Sequence, residues 1–129
     1  MLFRQLFDTT SSTYTYILGC NVSQDAILID PVFEQHTRDT SLLRELGLKV
    51  KYTVDTHVHA DHVTGSWLMK ETEGAKIALS GNYGAEGIDI ELSDGVVLTF
   101  GNCSITARST PGHTDGCFTF VTSDQTMTF

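Results

Sequence analysis

The chain has 129 residues, 40% apolar and 19% charged, an ordinary composition for one globular domain. Its 16 acidic residues against 8 basic ones give a net charge of -8, which argues against a phosphate-backbone binder and so against nucleic acid as a partner. Three cysteines without framework spacing suit a reducing compartment. Met1-Leu2-Phe3-Arg4 lacks a secretory start, and no apolar run approaches the roughly 20 residues that span a bilayer. A cytoplasmic protein without membrane partners is the expectation.

In chain order, strands are expected at residues 2–7, 13–18 and 26–30. A helix follows with Asp39 or Thr40 as N-cap, burying Leu42, Leu43 and Leu46 and stopping at Gly47. The run Lys49-Val50-Lys51-Tyr52-Thr53-Val54-Asp55 alternates and is rich in branched and aromatic residues, which predicts a strand over 50–56. A second helix is expected over 63–71, with Val63, Trp67 and Leu68 as its buried stripe and Gly65 permitting close approach to the sheet. Strands follow at 76–79, 96–100, 103–108, 117–122 and 126–129. Gly101-Asn102 reads as a two-residue hairpin turn and Ser123-Asp124-Gln125 as a longer one, while 81–89 stays open between loop and short helix. The pattern fits a mixed α/β sheet with helices on its outer face, in one domain without repeats.

Chemistry concentrates in Thr56-His57-Val58-His59-Ala60-Asp61-His62, where three of five histidines and a carboxylate fall within six residues. Imidazole nitrogen with carboxylate oxygen is a ligand set for zinc or iron and a poor one for calcium. Neither a helix nor a strand would gather all four groups on one side, so the run reads as a loop between strand and helix. In α/β folds that junction lies at the carboxyl end of the sheet, where ligands bind. His113 sits in a second loop, Ser109-Thr110-Pro111-Gly112-His113-Thr114-Asp115-Gly116, whose Pro-Gly pair predicts a turn orienting the ring. His36 has no ligand-spaced neighbour and reads as a surface residue. Cys20, Cys103 and Cys117 read as small buried hydrophobes rather than nucleophiles.

The combination H-x-H-x-D-H-x-x-G with P-G-H-T resembles the metallo-β-lactamase fold, an αβ/βα sandwich, over nearly the whole chain. Within it, Phe3-Arg4-Gln5-Leu6-Phe7, Ala26-Ile27-Leu28-Ile29-Asp30-Pro31-Val32, Glu45-Leu46-Gly47-Leu48 and the two histidine segments resemble the glutathione persulfide dioxygenases. That resemblance implies one iron(II) per chain held by His57 and His113, with His59, Asp61 and His62 orienting the ligands, and with glutathione persulfide and O2 as substrates of sulfide detoxification. The dinuclear zinc hydrolases of the same fold, including the glyoxalase II type, are the alternative. There His57, His59 and His113 would hold one ion, and Asp61 and His62 would help hold a second.

The resemblance also implies that residues 1–129 are the amino-terminal portion of such a domain, apparently truncated before the family's carboxylate ligand. Asp61 is then the chain's candidate catalytic carboxylate, and the chain as it stands is expected to hold iron weakly. Ile27, Ile29, Phe118 and Phe120 are expected to lack a facing layer, leaving an exposed sheet face for a homo-oligomer to cover or an inactive half domain.

Overall fold

The computed structural model describes residues 1–58, 64–81 and 86–129. Strands β1 (Leu2–Asp8), β2 (Thr13–Gly19) and β3 (Asp25–Ile29) form an antiparallel meander. After a 3-10 turn at Phe33–Gln35 come α1 (His36–Glu45), β4 (Lys49–Val54), α2 (Ser66–Glu73), β5 (Lys76–Ser80) and β6 (Ile90–Leu92). The strands β1 to β6 lie side by side in chain order, and β3 to β6 pair in parallel. Parallel neighbours need long crossovers, and α1 and α2 supply the first two. A separate antiparallel sheet holds β7 (Val97–Phe100), β8 (Cys103–Ser109) and β9 (Phe118–Thr122).

Alternation along the strands builds three layers. In β3, Ala26 and Leu28 face the helices with Ile17, Leu43, Val50 and Met69, while Ile27 and Ile29 face the small sheet with Leu98, Phe100, Ile105 and Phe120. Such a strand, buried on both sides, must be apolar at every position, and from 26 to 29 it is. The fold is the mixed α/β sandwich that the histidine motifs imply.

One expectation is overturned here. Ile27, Ile29 and Phe120 are fully buried and Phe118 nearly so, because β7 to β9 are themselves the facing layer. Between β6 and β7 the chain turns out of the large sheet through Asp94 and Gly95, whose φ is +85°, and Lys51 Nζ of β4 donates to Thr99 O across the gap at 2.9 Å. These four residues leave no open face for another copy to cover. Three exposed aromatics, Phe3 and Phe7 on β1 and Tyr14 on β2, lie instead toward the β1 edge of the large sheet.

Several local readings shift as well. Helix α1 begins at His36, behind Gln35, which makes no side-chain cap. Asp39 and Thr40 are buried inside it: Thr40 Oγ1 donates back to His36 O at 2.9 Å, and Arg38 Nε holds Asp39 at 2.8 Å. Leu43 is buried while Leu42 and Leu46 are half-buried, and Gly47, at φ +67°, ends the helix as expected. In α2 the inward positions are Ser66 and Met69, three residues apart, so Trp67 is rotated outward and is 59% exposed. Leu68 is half-buried and Val63 lies outside the described residues. Gly65 does enable a close approach, but to the chain after β3: its amide donates to Pro31 O at 2.6 Å, and a Cβ would meet Val32 O at 3.1 Å. Residues 126–129 form a single bridge, Val121 to Thr128, rather than a strand. The short β6, Ile90–Leu92, lies just past the open 81–89 segment, where no strand is expected.

Candidate metal centre

Strands β3 and β4 run parallel and end together, so Asp30 and the segment Asp55-Thr56-His57 leave the sheet side by side. Asp30 adopts φ +50°, a conformation that Asp and Asn tolerate better than most side chains. Its carboxylate accepts the Thr56 amide at 2.7 Å and the Thr56 hydroxyl at 2.8 Å. That hydroxyl lies 2.9 Å from His57 Nδ1. A carboxylate, a hydroxyl and an imidazole thus form one chain of contacts that sets the ring's orientation, and with Nδ1 engaged, Nε2 is the nitrogen this ring offers to an ion. Asp55, buried at the same strand end, accepts from Ser66 Oγ at 3.2 Å and ties down the start of α2.

His113 arrives from the second sheet. The Phe118 amide, at the start of β9, donates to Thr56 O at 2.8 Å and pins the base of the 110–117 loop to the end of β4. Thr110 N to Cys117 O, at 3.0 Å, closes that loop. The hydrogen-bonded turn falls at Thr114 to Cys117, just after Pro111-Gly112, and the Cys117 sulfur accepts the Thr114 amide at 3.2 Å. The outcome is that the His57 and His113 rings, 56 residues apart in sequence, stand with centroids 5.2 Å apart and planes at 82°. Two imidazoles bound to one ion at about 2.1 Å have centroids about 4.5 to 5.5 Å apart, so this pair fits a shared metal.

The rings stand at one end of a cleft of about 750 Å³ whose walls include Tyr14, Tyr16, Asp30, Thr56, Thr114 and Phe129. Burial, and behind it the Asp30 carboxylate, pushes the Tyr16 phenol above its ordinary value, so it stays a protonated hydrogen-bond donor at neutral pH. Ser11, also in the wall, donates through its hydroxyl and its amide to Asp8, which holds that carboxyl below its usual range.

Of the residues expected to carry chemistry, the structure brings His57 and His113 together. His59, Asp61 and His62 lie outside the described residues, and among the described residues no group of three or more potential ligands gathers. His36 is half-buried rather than on the surface, with Nε2 3.2 Å from Thr72 Oγ1 on α2. Cys20 is buried as expected, while Cys103 and Cys117 are half-buried. Sequence reasoning had not singled out Asp30, Thr56 or Tyr16 as site residues. Asp30-Pro31 directly after an apolar strand was the available signal.

The model of the metallo-beta-lactamase superfamily matches residues 8–129. The chain is 45% identical to the mitochondrial persulfide dioxygenase ETHE1 of Homo sapiens over 130 aligned residues, covering 100% of this chain and 51% of that protein. It is 33% identical to the hydroxyacylglutathione hydrolase of Rhizobium johnstonii over 107 residues, 80% of this chain and 39% of the relative. The crystal structure of ETHE1 from Myxococcus xanthus superposes with a TM-score of 0.91 at 42% identity, covering 96% of this chain and 55% of that one. The chain therefore spans about half the length of the curated relatives it matches. Since the match takes in both the strand end that carries His57 and the loop that carries His113, this chain belongs to the metallo-beta-lactamase superfamily, a metal-binding group.

Proposed function

We propose that the chain carries part of the active centre of a non-haem iron persulfide dioxygenase, with His57 and His113 as protein ligands to one iron(II) and glutathione persulfide as substrate. The observation that carries the reading is the 45% identity to a persulfide dioxygenase along the whole chain, together with the convergence of the two imidazoles. Iron, when bound, supplies the redox chemistry by which oxygen from O2 reaches the terminal sulfur, ending in sulfite and glutathione. The chain's own residues do the positioning. Asp30 and Thr56 orient His57, the Thr114 to Cys117 turn carries His113, and the cleft gives a thiol-bearing substrate room beside them. Tyr16, protonated, is a hydrogen-bond donor in the wall. In this reading His59, Asp61 and His62 are outer partners, with Asp61 the carboxylate available to join the two imidazoles.

A zinc-dependent thioester hydrolase is the second reading, favoured by the similarity to hydroxyacylglutathione hydrolase. Elemental analysis after loading with ferrous iron or zinc, run beside persulfide-dependent O2 uptake, separates the two. One iron per chain, lost in both His57→Ala and His113→Ala but retained in His36→Ala, supports the dioxygenase reading. Two zincs per chain with thioester cleavage would replace it.

A further inference from the structure

Far from the histidines in sequence and in role, two thiols, Cys20 and Cys103, pack into the one core cluster between the sheets. Cys20 follows β2 in the turn to β3, and its Sγ accepts the Asn102 amide at 3.4 Å. Asn102 stands at the tip of the β7 to β8 hairpin, and Cys103 is the next residue, about 3.8 Å onward along the chain. The tip presses on the turn so closely that a Cβ on Gly101 would fall 2.7 Å from Cys20 Sγ and 2.0 Å from Ser23 Oγ. Gly101 takes φ +63° there. The Ser23 amide and hydroxyl, with the Asn102 and Val22 amides, donate to the Cys20 sulfur and bring its thiol down to about 6. Cys103 is shifted the opposite way, raised first by burial and then by the adjacent Cys20 sulfur. The pair therefore holds one thiolate and one thiol at neutral pH, the division of labour a dithiol needs to react and then resolve.

We propose that Cys20 and Cys103 form a redox-active dithiol whose oxidising substrate is a hydroperoxide and whose product is a disulfide joining the two sheets. Cys20 is 1% exposed, so a bulky disulfide is shut out and the oxidant must be one as small as hydrogen peroxide, reaching the sulfur by local opening of the turn. The Cys20 thiolate attacks a peroxide oxygen; the O–O bond breaks, the leaving oxygen takes a proton from solvent and departs as water, and a sulfenic acid remains. The Cys103 sulfur then attacks that sulfenic sulfur. The S–S bond forms, the S–O bond breaks, and hydroxide leaves with the Cys103 proton as water. Two thiols lose two electrons and one peroxide gains them.

The test is thiol mapping of the full chain after brief treatment with hydrogen peroxide, acid quench, and alkylation of the remaining thiols under denaturing conditions. The expected result is one alkylated cysteine, Cys117, in place of three, a non-reduced peptide pair joining Cys20 to Cys103, and recovery of all three on treatment with dithiothreitol. Cys117→Ser should still form the link, whereas Cys20→Ser and Cys103→Ser should not. Three alkylated cysteines after peroxide, oxygen added to Cys20 without a cross-link, or a link through Cys117 would each overturn the proposal. Because the mapping reads the unsubstituted chain, a variant that fails to fold does not blunt it.

Discussion

Replacing Asp30 with alanine should damage the site from one residue behind it. The substitution removes the acceptor for both the Thr56 amide and the Thr56 hydroxyl, and Asp30 is only 7% exposed, so water recovers those contacts incompletely. A hydrogen bond to a charged group contributes about 1.5 to 3 kcal/mol, and two partly rehydrated ones give an expected loss of about 3 kcal/mol. Asparagine keeps the shape and the tolerance for positive φ but turns an amide donor toward Thr56, so Asp30→Asn should lose about half as much. Urea unfolding at constant m reads both losses. Freed of its anchor, the Thr56 hydroxyl no longer orients His57, and iron or zinc affinity should fall about 10- to 100-fold, the range for partners that position a ligand. An Asp30→Ala chain within about 0.5 kcal/mol of the original, with unchanged metal affinity, would refute the relay from Asp30 through Thr56 to His57.

Three further outcomes follow from the packing. Phe120→Ala should cost about 3 to 5 kcal/mol by urea unfolding because the ring is fully buried between the sheets, whereas Trp67→Ala, on an exposed ring, should stay within about 0.5 kcal/mol. Gly101→Ala should lose at least about 1 to 2 kcal/mol from positive φ alone, and it should slow formation of the Cys20 to Cys103 link by pushing the hairpin off Ser23, as peroxide mapping would read. Asp124, held at about 2 by Thr122, the Thr126 hydroxyl and the Thr126 amide, has a folded value below its unfolded one of 3.8. Its contribution is therefore present above pH 3.8 and lost as pH falls toward about 2. The gap in urea midpoint between the original chain and Asp124→Asn should close across that window and stay constant above it.

Much of the order of elements was legible in the residues themselves. The apolar stretch around Ala26-Ile27-Leu28-Ile29, the alternation in Lys49 to Asp55 and the Gly47 stop each state a local preference that the tertiary structure keeps. The helix starts were less legible. Asp39 and Thr40 are good caps in isolation, yet packing draws both into the interior of α1, where Arg38 holds one Asp39 oxygen and the His36 carbonyl accepts the Thr40 hydroxyl, while Asp39 Oδ2 is buried without a hydrogen-bond partner among the described residues. Trp67 misled for a related reason: hydrophobicity names a residue that prefers burial, but the phase of α2 gives the inward position to Met69.

The sequence by itself determined that a histidine-rich segment follows a strand, that a further histidine lies in a second segment downstream, and which superfamily those motifs point to. Tertiary structure decided which groups meet. The pairing of Phe118 with Thr56 that sets His113 against His57, the Asp30 carboxylate behind Thr56, and the hairpin tip of Asn102 on Cys20 are contacts between segments 26 to 82 residues apart. The same holds for the second sheet. Whether β7 extends the large sheet or folds over it depends on a turn at Gly95 and on the apolar face waiting at Ile27 and Ile29, and periodicity along one strand carries no information about which layer that strand joins, because alternation records that a face is buried and not what buries it.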